Sequence, residues 1–582
     1  MALTVLFGKA GSGKTTYCFN KIKAAQQAGK KALLLVPDQG TYNTERRLAE
    51  YMAGRGFMGT RVVGFNRLTY LVLQECGMAE ASLSDFDKRI VLNRLTAKNL
   101  TEFTALRQAA EQPNFAGMMA KFLNECRSFA VPADALNDIA RSLPEGVLQR
   151  KIADTAFLYD RYEAYLQEHF DSSCDIFTAL AEKAGQATFL QDAVVCVDGF
   201  QWFTPQQLHV LKSVVTAAAE VVITLTMDPE RPERQARETA LYHRAYEAYR
   251  EICELFTDVR LVSVTGAGQS ELQRFHDAFF KTLPTQLERP ISGLTSAECK
   301  NRTIEVDYMA RTVRRLVRQG RRWRDIVIIS RSGDPYNQLC ERIFKEYDIP
   351  CFTDYRRPMK AHPLIEAIAS VLETVLHSKG NTDALFRLLK TDLMPFTRRE
   401  ADDLENYCLA AGIRGIRWQE TRDWQYLPKG LHPYNYDLTY INGIRQRVVA
   451  LLSPLRRLQG ETAELHVFAA LLWQWLAAVA VPARLSEWQK EAIAAGREED
   501  AKEHEQVWKK VVFLLERLVE LCGHDIVTGR EFVKLLTEGL EELHFTLIPP
   551  TLDHVTVTTV DRGYTLRSPV VFVCGMNDGV FP

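Results

Sequence analysis

Residues Gly8-Lys-Ala-Gly-Ser-Gly-Lys-Thr15 constrain this chain more than any other stretch. Leu3-Thr-Val-Leu-Phe7 before them is a short apolar run with a β-branched centre, the signature of a buried strand. Thr15 to Ala24 after them favours a helix, and Ala32-Leu-Leu-Leu-Val36 reads as the next strand. Strand, glycine turn and helix in that order make an anion cradle. Gly8, Gly11 and Gly13 let the backbone curl until its N–H groups face one point. The helix N-terminus adds partial positive charge there. In that frame Lys14 is placed for the β- and γ-phosphates of a nucleotide, and the Thr15 hydroxyl for Mg²⁺. Ser12 and Thr16 complete the candidate phosphate-binding set.

A chain of 582 residues exceeds one core and divides into several domains. Strand-like runs recur at Ala193-Val-Val-Cys-Val197, Val221-Val-Ile-Thr-Leu-Thr226, Ile326-Val-Ile-Ile329, Val555–Val560 and Val570–Cys574. Long stretches rich in helix formers separate them. The spacing predicts an α/β protein in which an α/β unit carrying a large helical insertion occurs twice. The expected segments are 1–75 and 186–290 for the first unit around an insertion at 76–185, and 291–375 and 550–582 for the second around an insertion at 376–549. Val467–Val481 is the most apolar helical stretch, but Gln474 interrupts it and it reads as a core helix. No membrane association is expected. The twelve cysteines are scattered singly without a C-x-x-C pair, which suits reduced thiols in a cytoplasmic protein.

A nucleotide site needs a second carboxylate-bearing strand for the Mg²⁺ shell. Ala193–Val197 ends in Asp198 and supplies one. A hydrolysing enzyme of this kind carries glutamate at the next position, where this chain has Gly199. Glycine polarises no water, so the pair predicts Mg·ATP binding with slow or no hydrolysis.

From these landmarks onward the chain resembles superfamily 1 DNA helicases of the UvrD type, and more closely the B subunit of the AddAB (RexAB) helicase–nuclease. The glycine loop resembles helicase motif I, Val197-Asp-Gly-Phe-Gln201 motif II, and Leu225-Thr-Met-Asp228 the motif III strand. Leu33-Leu-Leu-Val-Pro-Asp-Gln39 with Glu45, and Val62-Val-Gly-Phe-Asn-Arg-Leu68, resemble segments of the B subunits. Asp325–Arg331, Tyr336 and Ile349-Pro350 resemble the opening of a second motor domain, and Phe572–Pro582 the strand and turn after motif V. The resemblance implies two RecA-like P-loop domains in tandem. It also implies a subunit that binds ATP and scans single-stranded DNA alongside an active A subunit, at duplex DNA ends under repair.

The departures from the helicase pattern point the same way. The adenine-reading glutamine segment is not expected, since the chain starts on its first strand. Motif V is eroded around Arg562-Gly563, and the arginine finger would lie beyond Pro582. The family's nuclease domain, with its iron–sulfur cluster, is likewise expected to lie beyond this chain. Thr353-Asp-Tyr-Arg356 lacks upstream acidic partners for nuclease chemistry and reads as a loop.

A net charge of −1 gives no global attraction to a polyanion, so DNA contacts must be local. Phe65, Trp202 and Phe203 follow strands and are candidate base-stacking rings, with Asn66 and Arg67 as candidate backbone contacts. Arg311, Arg314, Arg315 and Arg318 share a helical face that reads equally as solvated surface. Two alternatives compete with the degenerate scanning subunit: an autonomous DNA translocase with active ATPase, and a small-molecule kinase that leaves the second α/β unit unexplained.

Overall fold

The computed structural model describes residues 2–52, 59–77, 83–112, 114–169, 176–228, 235–265, 271–272, 274–275, 291–355, 357–376, 381–426, 437–545, 553–563 and 568–581. Arg356 and Pro582, named above, lie outside them.

Six apolar runs build the first sheet: β1 (Ala2–Gly8), β2 (Ala32–Leu35), β3 (Thr60–Val63), β4 (Val194–Val197), β5 (Glu220–Thr226) and β6 (Val259–Ser263). Their order is β3-β2-β4-β5-β1-β6, with every neighbouring pair parallel. β2 and β4 are buried at every position, as strands covered on both faces must be. Period-2 alternation sorts their side chains into two cores. Leu33, Leu35, Val195 and Val197 pack with Leu68 and Leu211. Leu34, Cys196 and Val222 pack with Cys18, Phe19 and Ile22 of the helix Lys14–Gln27.

Six further strands follow: β7 (Ile326–Ser330), β8 (Cys351–Thr353), β9 (Thr462–Glu464), β10 (Ile526–Thr528), β11 (Val555–Thr559) and β12 (Val570–Val573). β9 and β10 pair antiparallel as a short ribbon. The other four form a parallel sheet in the order β12-β7-β11-β8. Glu305, on the helix Arg302–Arg318, closes one end of this sheet. It accepts the Tyr336 hydroxyl at 2.6 Å and the Gly575 amide just past β12 at 2.9 Å. On the same helix Arg311 is paired with Asp307 rather than standing alone.

Helices fill the interval between β3 and β4 and much of that between β8 and β11. The first set has a core around Leu92, Phe115, Leu123 and Tyr162. The second has a larger one around Val371, Leu404, Phe468, Leu514 and Phe532. The helix Asp85–Lys98 belongs to both. Val91 and Leu92 point into the first core, whereas Ile90 packs into the second.

No single helix among the described residues is long and apolar enough to cross a membrane. The helices Leu465–Ala478 and Val481–Ala494 reach that length and composition only together, across a 52° bend. The apolar side chains Leu465, Phe468, Leu472, Trp475 and Leu476 are buried in the second core. Of the stretch Val467–Val481, read above as a core helix, the core takes up the helix Leu465–Ala478.

Candidate functional site

Parallel pairing puts the C-terminal ends of all six first-sheet strands on one edge, where open α/β sheets place ligands. Gly8 ends β1 at this edge. A Cβ on Gly8 would run into the Val264 carbonyl and the Ser12 hydroxyl, so only glycine lets the loop close. Gly11 and Gly13 have φ of 78° and 98°, left-handed values that L side chains disfavour. Gly13 is the N-cap of the helix Lys14–Gln27, and no side chain caps that end. The first-turn amides therefore face the loop rather than a serine or aspartate.

Lys14 is buried and turned back over this turn. Its Nζ donates to the carbonyls of Gly8 at 2.7 Å and Lys9 at 2.9 Å. Thr15 is buried beside it, whereas Thr16 is exposed. Ser12 Oγ is buried and has no hydrogen-bond partner among the described residues, a polar atom awaiting an acceptor or donor.

Asp198 follows β4 and is also buried. Its amide continues the ladder to Leu35 O at 2.9 Å, and Thr224 Oγ1 on β5 donates to its Oδ1 at 2.6 Å. That bond fixes the carboxylate's rotamer. The helix after the loop packs on β4 through Cys18 and Cys196, whose thiol lies 3.9 Å from the Cys18 carbonyl. A hydrogen bond with Cys196, together with burial, drives the Cys18 thiol well above its ordinary pKa, and the nearby Asp198 charge adds to it. Both thiols are filler here. Thr15 lies one helical turn before Cys18 and Asp198 two strand residues after Cys196, so both move from that contact toward the ligand edge. Gly199 follows with φ of 87°, and a Cβ there would touch the Pro37 ring at 3.4 Å.

The candidate DNA residues separate into two groups. Phe65 and Phe203 do not stand at a surface. Phe65 is 2% exposed and packs edge-on to Phe177 and Phe200, and Phe203 is 3% exposed against Phe200. The expectation that these two rings stack on bases is corrected: both are core. Phe65 opens the helix Phe65–Glu75, whose inward face is Phe65, Leu68, Thr69 and Val72. Trp202, by contrast, is 46% exposed and stacks on the exposed Phe129 ring, with centroids 6.2 Å apart and planes 18° apart. Asn66 and Arg67 are exposed. Asn66 Nδ2 donates to Asp38 Oδ2 at 3.0 Å, and the Arg67 guanidinium lies 4.8 Å from the Tyr70 ring centroid. Burial raises the Asp38 carboxyl above its ordinary range, against the opposing hydrogen bonds from Asn66. A Cβ on Gly64 would strike Asp38, so that glycine is what lets β3 approach the segment after β2.

The family described as "ADDB, N-terminal" matches residues 5–280. Relatives named as the B subunit of an ATP-dependent helicase/deoxyribonuclease align across this whole chain. The protein from Desulforudis audaxviator (strain MP104C) is 35% identical, over 100% of this chain and 53% of its own length. That from Moorella thermoacetica is 35% identical with the same two coverages. That from Geobacillus kaustophilus is 32% identical, again over 100% and 53%. The chain is a homologue of the helicase/deoxyribonuclease B subunits. It spans about half the length of the curated B subunits it matches.

In this B-subunit homologue the loop and Asp198 offer the donor types a nucleotide with Mg²⁺ requires. There are amide N–H groups and a lysine for phosphate, and a hydroxyl and a carboxylate for the ion. Two observations fit a phosphate at the loop: the unpartnered Ser12 hydroxyl, and the helix N-terminus at Gly13 that no side chain caps. Thr15 and Asp198 are the residues that would hold Mg²⁺. Sequence reasoning did not find Thr224, which orients Asp198, or Phe129, which pairs with Trp202. Thr224 sits in the apolar run of β5, where a hydroxyl next to the carboxylate strand is the available signal. Phe129 lies on another element and leaves none.

Proposed function

We propose that this chain is the ATP-binding, single-stranded-DNA-scanning part of a bacterial helicase–nuclease B subunit. In this reading its two parallel sheets are RecA-like motor domains in tandem, and the motor is degenerate. Gly8, Gly11, Ser12, Gly13, Lys14, Thr15 and Thr16 take the triphosphate, and Thr15 and Asp198 take Mg²⁺. The first sheet's strand order supports the reading, with β5 between the loop strand and the Asp198 strand. The names of the relatives support the helicase–nuclease role. The protein would work in the cytoplasm with an A subunit that supplies the active motor, on duplex DNA ends destined for recombinational repair.

The observation that carries the degenerate motor is Gly199. It stands where a hydrolysing enzyme places its catalytic carboxylate, in a backbone conformation suited to glycine. Among DNA candidates, the exposed Trp202–Phe129 stack and the Arg67 and Asn66 side chains replace the buried rings. The test is a pair of measurements on the chain with its A subunit. Mg·ATP should bind with negligible turnover from this subunit, and single-stranded DNA should bind in a manner weakened by Trp202→Ala. Rapid DNA-stimulated hydrolysis by this chain alone, abolished by Lys14→Ala, would establish the autonomous translocase instead.

A further inference from the structure

We propose that Glu464, His466 and His524 bind one divalent ion of the zinc class and that this ion clamps the β9–β10 ribbon. Glu464 ends β9, His466 is the second residue of the helix Leu465–Ala478, and His524 stands just before β10. The ribbon brings them together across the loop that joins two long helices. Glu464 pairs with Ile526, and the ladder runs on through Leu465 N to Asp525 O at 2.9 Å and His466 N to Gly523 O at 3.0 Å. Backbone bonds therefore hold the three residues next to one another.

Glu464 Oε2 lies 3.2 Å from His466 Nδ1 and 3.0 Å from His524 Nδ1, and all three ligand atoms fall within 4.8 Å of one another. Ligands about 2.0–2.2 Å from a tetrahedral zinc stand roughly 3.3 Å apart, so two of the three edges already have the required length. Two imidazoles and one carboxylate are a known zinc ligand set, and the nitrogens select against calcium and magnesium. His524 is almost fully exposed and the other two are half-exposed, which leaves an open side for entry and for a water ligand.

Without metal, both Nδ1 atoms must carry protons to satisfy the one carboxylate oxygen. His466 Nδ1 also lies 3.1 Å from the Gly523 carbonyl, which shares that proton. A metal at Nδ1 would move that proton to Nε2 of the same ring. The neighbouring Cys522 is not a ligand. Burial pushes its thiol up to about 12, and its side chain belongs to the second core.

The clamp has a structural consequence. The residue after His524 is Asp525, whose carboxylate receives Arg94 Nη2 at 2.8 Å and Lys98 Nζ at 3.1 Å from the helix Asp85–Lys98. An ion on His524 stiffens the seat of that helix, and so the joint between the two helical regions.

Calorimetric titration of the full chain with Zn²⁺ tests this. Wild type should bind one ion. Co²⁺ should give visible bands of a nitrogen–oxygen site. His524→Ala alters an exposed side chain and should weaken binding roughly tenfold or more, with Glu464→Gln weakening it too. His209→Ala, an exposed histidine elsewhere, should bind as wild type. Hydrogen exchange at the Leu465 and His466 amides should slow with Zn²⁺ in wild type and not in His524→Ala. Wild-type affinity in His524→Ala, thiolate-to-cobalt charge-transfer bands, or no saturable binding at submillimolar zinc would each overturn the assignment.

Discussion

Arg517 places Nε and Nη2 on the two oxygens of Asp87, at 3.0 and 2.8 Å, across 430 positions of sequence. Asp87 is buried and is also the third residue of a capping box. Its Oδ2 accepts the Ser84 amide at 2.9 Å, while the Asp87 amide donates to Ser84 Oγ at 3.2 Å. One carboxylate thus starts the helix Asp85–Lys98 and fastens it to the long helix Glu498–Cys522. Arg517→Met should cost about 3 kcal/mol, because it strands a buried charge. The double variant with Asp87→Asn should recover part of that loss. Denaturant midpoints and amide protection over 85–98 read both outcomes, and equal midpoints for single variant and wild type would show the pair to be incidental.

Lys14→Ala should weaken Mg·ATP binding by about 2 kcal/mol, the worth of a charge-assisted contact, and should lower thermal stability modestly because the Gly8 and Lys9 carbonyls lose their donor. Fluorescent-nucleotide titration measures it. Undiminished affinity would remove the loop from the nucleotide site.

Gly199→Glu should not produce a fast ATPase. At φ of 87° an L residue costs about 1–2 kcal/mol, and its Cβ meets Pro37. Gly199→Ala should show the same loss of melting temperature, which separates backbone strain from charge. A variant that hydrolyses ATP rapidly would mean that every other catalytic part is present.

Local signals were readable and long-range ones were not. β1, the glycine loop and β4 ending in Asp198 are legible because each is a continuous apolar run with its chemistry at the end. β6 is a half-exposed edge strand, and β9 and β10 have three residues each, too few to show a period. The burial of Phe65 is encoded in the sequence, since Phe65, Leu68, Thr69 and Val72 follow a helical stripe. Position after a strand did not tell which way its ring pointed. The Asp87–Arg517 contact has no local signature at all.

Trp202→Ala and Phe65→Ala should therefore fail in different assays. The exposed Trp202 variant should keep its stability and lose about 1–3 kcal/mol of single-stranded DNA affinity, the worth of one stacked base. Phe65→Ala empties a core position and should cost about 3–5 kcal/mol of stability. Fluorescence anisotropy and thermal melts distinguish them. Full DNA affinity in both Trp202→Ala and Phe129→Ala would exclude the ring pair from the DNA path.

A buried histidine pair makes stability depend on pH. The Leu364 amide donates to His362 Nδ1 at 3.1 Å, so that nitrogen is bare. The proton then sits on Nε2 and goes to His504 Nδ1 at 3.0 Å. A second proton on His362 would break the Leu364 bond and place a cation in a site already facing Arg357, with Phe545 and Trp488 packed around the pair. Burial, His504 and Arg357 together lower His362 to about 4. Burial also lowers His504, with Arg497 adding to it and Asp500 opposing. An unfolded histidine titrates near 6.5. Between those values the unfolded chain binds more protons than the folded one, so stability is complete above about 6.5 and falls as the pH drops toward 4. Melting temperature should decline from pH 7 to pH 5, and His362→Gln should flatten that decline at some cost in stability at pH 7. An equally steep decline in the variant would place the sensitivity elsewhere.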